Sequence, residues 1–136
     1  MDMAKTIAIA SSGLRVQSER LRVIAENMAN SDSTASSPGS DPYWRRTVLF
    51  ANEFDRATGL DLVRVVGETF DKSEFERRFD PGHPSADKDG YVLLPNVNPI
   101  IEMTDMRQAL RSYEANLAVI EVSKTMLQKT IDLLRA

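Results

Sequence analysis

The sequence predicts a mainly α fold with a small β insert, in which long N- and C-terminal helices form a coiled-coil-like pair around a short irregular, β-rich middle domain. Three observations carry this. Apolar residues recur at alternating intervals of 4 and 3 at both ends of the chain. Most of the six glycines and six prolines fall between those ends. The 136 residues have the length of one domain, and 42% are hydrophobic although only 7% are aromatic.

In the first element, Met3, Ile7, Ala10, Leu14, Gln17, Leu21, Ile24 and Met28 follow one another at intervals of 4, 3, 4, 3, 4, 3 and 4. That is the a/d spacing of a heptad, which turns one ridge of a helix toward a partner. Arg15, Glu19, Arg20, Arg22 and Glu26 fall off the ridge. A helix over 3–28 is about 39 Å long. Gly13 costs about 1 kcal/mol relative to Ala in a helix interior, so it marks either a close helix approach or a weak spot.

The middle, 31–101, opens with SDSTASSPGSDP (31–42), a polar stretch rich in helix breakers and read as a loop. YWRRTVLF (43–50) and GLDLVRVV (59–66) read as strands, and YVLLPNV (91–97) as a third whose end Pro95 confines to an edge. Residues 67–80 are charged and carry no clear period.

The last element repeats the first. Met103, Met106, Leu110, Tyr113, Leu117, Ile120, Lys124, Leu127, Ile131 and Leu134 alternate at 3 and 4, without Gly or Pro. A helix from 102 to 135 is about 51 Å long. Gln17 and Lys124 are the strongly polar ridge members; each either fixes register or reaches solvent at the ridge's edge. Residues 1–30 and 102–136 are thus the paired terminal helices. Two helices cover each other along one line only, which leaves apolar surface beside the ridges, including Val16, Val23, Val119 and Val122. Large apolar patches are seldom left in water, so the chain is built for assembly.

Composition removes several functions. The net charge is −3 with no cluster of Lys and Arg, which argues against nucleic acid. The chain lacks cysteine, so it has no disulfide or thiolate chemistry. MDMAKTIAIASSG (1–13) lacks the apolar run of a cleavable signal, and no stretch approaches a membrane span, so a chain soluble at synthesis with no direct membrane insertion is expected.

FDPGHPSADKDGYVLLPNV (79–97) holds the sole histidine, His83, close to Asp80, Asp87 and Asp89. An EF-hand register fails at its first and last positions, Ser85 and Asn96. No metal, cofactor or catalytic site is expected, because neither a nucleophile–base pattern nor a phosphate loop accompanies the histidine. Pro81 and Pro84 fix backbone angles, and Gly82 and Gly90 supply turn geometry, so the stretch reads as a stiff turn. Asn27 and Asn30 read as residues that close a helix rather than bind a ligand.

Several of these segments resemble one family. SGLRVQSERLRVIAENMANSDST (12–34) is similar to the N-terminal motif of bacterial flagellar rod and hook axial proteins, with Asn27, Ala29, Asn30 and Thr34 in its closing turn. RSYEANLAVIEVSKTM (111–126) matches the family's C-terminal signature through Ser112, Tyr113, Glu114, Ala115 and Asn116. PYWRR (42–46) and DPGHPSADKDGYVLLPNVNPIIEM (80–103) resemble the proximal-rod branch, through Asp80, Pro81, Gly82, His83, Pro84, Gly90, Tyr91, Pro95 and Asn96. The resemblance implies an inner tube of terminal helices with the 31–101 domain outside, and a rod location in the basal body. It also implies export by the flagellar type III apparatus without signal cleavage. The implied partners are copies of itself, other proximal- and distal-rod proteins and a basal-body adaptor. A non-enzymatic structural subunit is therefore expected, its ridge residues packing with neighbours in a drive shaft for motility. The alternative is a helical adapter or export chaperone holding an amphipathic segment of a flagellar partner.

Overall fold

The computed structural model describes residues 2–135; Met1 and Ala136, which the predicted terminal-helix domain includes, lie outside the described residues. The elements are α1 (Met3–Ala29), β1 (Arg46–Asp55), β2 (Leu60–Phe70), β3 (Glu76–Phe79), β4 (Tyr91–Leu94) and α2 (Pro99–Arg135). The chain is roughly half helical, with small antiparallel strands between two long helices.

Side chains close both ends of α1. The Asp2 carboxylate accepts the Ala4 N–H at 3.0 Å, satisfying one donor that the first turn leaves unpaired. At the other end Asn30 Nδ2 donates to the Glu26 carbonyl at 2.8 Å, and Ser31 Oγ to that of Met28 at 2.9 Å. The start of α2 is set by Asn98 and Pro99. Asn98 Oδ1 accepts the Ile100 N–H at 3.0 Å, and Pro99 occupies a first helical position where its missing donor costs nothing. The helix therefore begins three residues before the sequence expectation.

Two compact units divide the chain, one of Met1–Leu21, Leu49–Gly67 and Arg107–Ala136, the other of Arg22–Val48 and Glu68–Met106. In the first, α1 and α2 run antiparallel, with Arg20 Nη2 donating to Gln108 Oε1 at 3.2 Å and Gly13 facing Asn116. A Cβ on Gly13 would lie 2.7 Å from Asn116 Nδ2, so the glycine marks a close helix approach. Ser12 Oγ accepts the Val63 N–H at 3.3 Å and ties the β1–β2 hairpin to α1. Apolar burial in this unit is sparse, resting on Ala10, Val16 and Ala109.

The second unit holds most of the apolar core: Val23, Ile24, Ala35, Val48, Val92 and Val97. β3 and β4 pair antiparallel with Glu76 opposite Leu94 and Phe79 opposite Tyr91. β3 lies in the charged segment that showed no period, and all four of its side chains are exposed, so no alternation existed to read. β4 stops at Leu94 because Pro95 has no N–H to give a ladder. β1 begins at Arg46; just before it the Arg45 carbonyl accepts the Asp71 N–H at 2.9 Å, while the Arg45 N–H donates to the Asn96 side chain at 2.8 Å. Trp44 packs on Phe75 with ring centroids 4.2 Å apart.

Burial along α2 follows a line displaced from the predicted ridge. Glu102, Met106, Ala109, Tyr113, Asn116, Ile120 and Ser123 keep heptad spacing and are buried or half-buried. Predicted members Met103, Leu110, Leu117 and Lys124, each one residue further on, are exposed. The close approach at Gly13 explains the shift: short side chains fit the contact line and large ones are left beside it. Val16 and Val23, expected to remain in water, are buried in the chain itself, whereas Val119 and Val122 do stay exposed. Gln17 Oε1 is buried without a hydrogen-bond partner among the described residues, so its side chain does not end in solvent. Lys124 is exposed.

Gly13→Ala should forfeit the roughly 1 kcal/mol of helix propensity that the change normally confers, because the new methyl collides with Asn116. Thermal unfolding followed by circular dichroism should show no gain for Gly13→Ala and a gain when Asn116→Ala accompanies it. A full gain from the single substitution would contradict the close approach.

Candidate functional site

Two features stand out on this scaffold: a buried polar junction in the second unit, and an uncovered apolar face on α2. The junction is built on Glu102, in the first turn of α2, whose side chain is 0% exposed. Arg45 Nε donates to Glu102 Oε1 at 2.6 Å, and Asn27 Nδ2 to Oε2 at 3.1 Å. The Arg45 guanidinium also reaches Asp105 at 3.4 Å and Asp71 at 3.7 Å. A carboxylate taken out of water needs such partners, and here each oxygen has one.

Asn27 is saturated. Its Nδ2 also donates to the Arg46 carbonyl at 2.9 Å, while Oδ1 accepts the Arg46 N–H at 2.9 Å and the Tyr43 hydroxyl at 3.0 Å. Burial raises the Tyr43 phenol above its ordinary value, only partly opposed by Arg46, which keeps the hydroxyl available as a donor. The helix-closing role expected of Asn27 is thus carried by Asn30, and Asn27 instead gives β1 a partner along α1. Asn96 works in parallel: its Oδ1 accepts the Arg45 N–H at 2.8 Å and its Nδ2 donates to the Asp71 carbonyl at 2.8 Å. Sequence reasoning missed Arg45 and Glu102. The available signal was a single acid inside the apolar run NPIIEM (98–103).

The histidine loop is internally bonded. Asp87 Oδ1 accepts the N–H groups of Tyr91 at 2.8 Å and Asp89 at 2.9 Å, and Oδ2 takes Arg77 at 3.3 Å. These bonds, the Tyr91 N–H foremost, hold the Asp87 carboxyl below its ordinary range. His83 Nδ1 accepts the Ser85 N–H at 3.1 Å, and Ser85 Oγ donates to the Ala35 carbonyl. Gly90 has φ 82°, and a Cβ there would sit 3.0 Å from Phe79, whereas Gly82 lies in the turn that the His83 N–H closes onto the Asp80 carbonyl at 3.2 Å without a positive φ. Asp80 joins through its backbone, donating to the Gly90 carbonyl at 2.9 Å. Pro81 and Pro84 are exposed, Pro95 is buried, and Phe79 meets Tyr91 edge-on at 5.3 Å. Among the described residues, no three His, Asp or Glu side chains converge on a point where a metal would sit.

The C-terminal signature splits across α2: Ser112, Tyr113 and Asn116 are half-buried, while Glu114 and Ala115 are exposed. Ile7, Leu14, Leu21, Met28, Met106 and Ile120 are also half-buried, Ile24 is buried and Ala29 is exposed. The predicted ridge residues Leu110, Leu117, Leu127, Ile131 and Leu134 lie in the open, and Leu134 is 83% exposed. Val119, Val122, Met126 and Leu133 make a second exposed line. No helix among the described residues is long and apolar enough to cross a membrane.

Comparison with known proteins gives one consistent family. The family described as flagellar basal body rod FlgEFG protein C-terminal matches residues 88–133. The flagellar basal-body rod protein FlgC of Agrobacterium fabrum is 52% identical over 128 residues, covering 94% of this chain and 92% of its own. The FlgC proteins of Borreliella burgdorferi and Salmonella typhimurium are 39% and 36% identical, over 99% and 98% of this chain and the same shares of theirs.

Arg45→Ala strands the buried Glu102 charge and should cost about 3–5 kcal/mol in urea unfolding. Asp105→Ala removes a more exposed partner and should cost less than about 1 kcal/mol; equal costs would sink the junction's ranking. The Asp87 carboxyl, held below its usual value, favours the folded loop above that value and loses this as acid protonates it. Asp87→Asn should therefore lower loop stability at neutral pH to near its acid level and so flatten its pH dependence, read by hydrogen exchange at the Tyr91 amide, while leaving the acid value nearly unchanged.

Proposed function

Because the chain belongs to the FlgC family of flagellar basal-body rod proteins, we propose that it builds the proximal part of the rod by packing the exposed faces of its terminal helices against neighbouring subunits. It is a structural rod subunit of the flagellar basal body. The reading extends to a coiled-coil-like inner tube with residues 31–101 outside. Its partners are further copies, other rod proteins and the basal-body adaptor, and delivery is by the flagellar type III export apparatus. Catalysis has no part in it.

The observation that carries the mechanism is the apolar exposure of α2 along two lines. Leu110, Leu117, Val122 and Leu134 are 42%, 40%, 58% and 83% exposed on one continuous helix. Each fully buried Leu or Val contributes about 1.5–3 kcal/mol relative to exposure, so several covered at once supply a strong association term. A shaft under torque needs many such contacts in parallel rather than one tight one.

Leu117→Asp should leave the isolated chain folded, since 40% of the residue's surface is already exposed, yet remove it from purified rods and abolish swimming of a strain dependent on it. Arg22→Ala, which loses ion pairs with Glu26 and Glu68 at a half-exposed position, should swim normally. Normal motility with Leu117→Asp would refute this interface. A small, closed, saturable complex with one flagellar partner would instead support a helical adapter.

A further inference from the structure

The first unit contains a groove of about 610 Å³ beside α1 and the β1–β2 hairpin. Val16, Phe54, Leu62, Val63 and Val65 give it apolar walls, and Phe54 is 60% exposed beside it. Its charged residues are Arg15 and Arg64 against Glu19, Glu53 and Asp55, a net of one negative charge. Sequence reasoning gave the hairpin no role, and the rod reading so far makes no use of it.

We propose that this groove receives the C-terminal turns of α2, Leu127–Leu134, from a second copy of the chain. Leu127, Ile131 and Leu134 follow at intervals of 4 and 3, so they line one side of about two helical turns. That strip is apolar and uncovered, matching the groove's walls. The charges bordering the strip are Lys124 and Arg135, a net of two positive charges, complementary in sign to the groove. The chain's own tail does not fill the site, because Leu133 and Leu134 are 79% and 83% exposed. Groove and tail are different patches, so the contact is head-to-tail and propagates from copy to copy, as a rod requires. This deepens the rod reading and rests on it for its biological meaning.

The absence of cysteine makes the test direct. Full-length chains carrying Phe54→Cys and Leu134→Cys, mixed under a mild oxidant, should form a covalent heterodimer about tenfold faster than Phe54→Cys with Val119→Cys, because docking raises the local thiol concentration. Lys124→Glu in the tail-bearing chain should slow the reaction about threefold, an exposed ion pair's worth. Equal rates for the two pairs, or no cross-link, would overturn the assignment. So would an intrachain disulfide in a dilute Phe54→Cys/Leu134→Cys double variant, which would make the occupant the chain's own tail. Basal bodies purified in parallel separate this from the rod reading. A chain that enters rods but does not cross-link refutes the groove alone, whereas one that cross-links but never enters rods supports the groove and refutes the rod.

Discussion

The structure depends most on one carboxylate removed from water. Glu102 sits in the first turn of α2 with no exposed side-chain surface, and its two oxygens are met by Arg45 and Asn27. Those two residues come from the stretch leading into β1 and from α1. A buried charge tolerates few arrangements of its partners, so it specifies how these segments meet more sharply than apolar contact would. Tyr43, Asn96 and Asp71 extend the same logic, each joining a backbone group or a second side chain already in the cluster. The long irregular stretch between α1 and β1 is thereby anchored without regular hydrogen bonding of its own.

The other unit is organised differently. Its helices approach closely at Gly13, and its buried positions on α2, Ala109 and Ser123, are small. Small residues bring backbones together but remove little apolar surface from water, and the larger aliphatic side chains are turned outward. A chain with one well-buried unit and one lean unit carrying an apolar exterior suits a subunit completed by its neighbours. Membership in a rod-protein family supplies the context for that surface.

Much of the architecture was legible in the sequence. Heptad spacing located both helices within a few residues, and turn-forming residues bounded the middle. The contact line on α2 was not legible, because periodicity weights large apolar side chains and cannot see that Gly13 and Asn116 favour a closer, smaller seam. β3 was invisible because Glu76–Phe79 faces solvent throughout and leaves no alternation. Asn27 was singled out but given a helix-closing role, since its partners Tyr43, Arg46 and Glu102 lie up to 75 positions away along the chain. The histidine loop was read as a stiff turn; its turns are present, closed by the His83 and Gly90 N–H groups on the Asp80 and Asp87 carbonyls, and Gly90 alone supplies the left-handed angle there.

The two heptad lines on α2 lie one residue apart and coincide at Met106, Tyr113 and Ile120. Under the rod reading, mutational drift then meets three kinds of position. Ala109 and Ser123 answer only to the interior of the monomer, and Leu110 and Leu117 only to the neighbour. The three shared residues answer to both, so they should be the most constrained sites on the helix when related rods diverge.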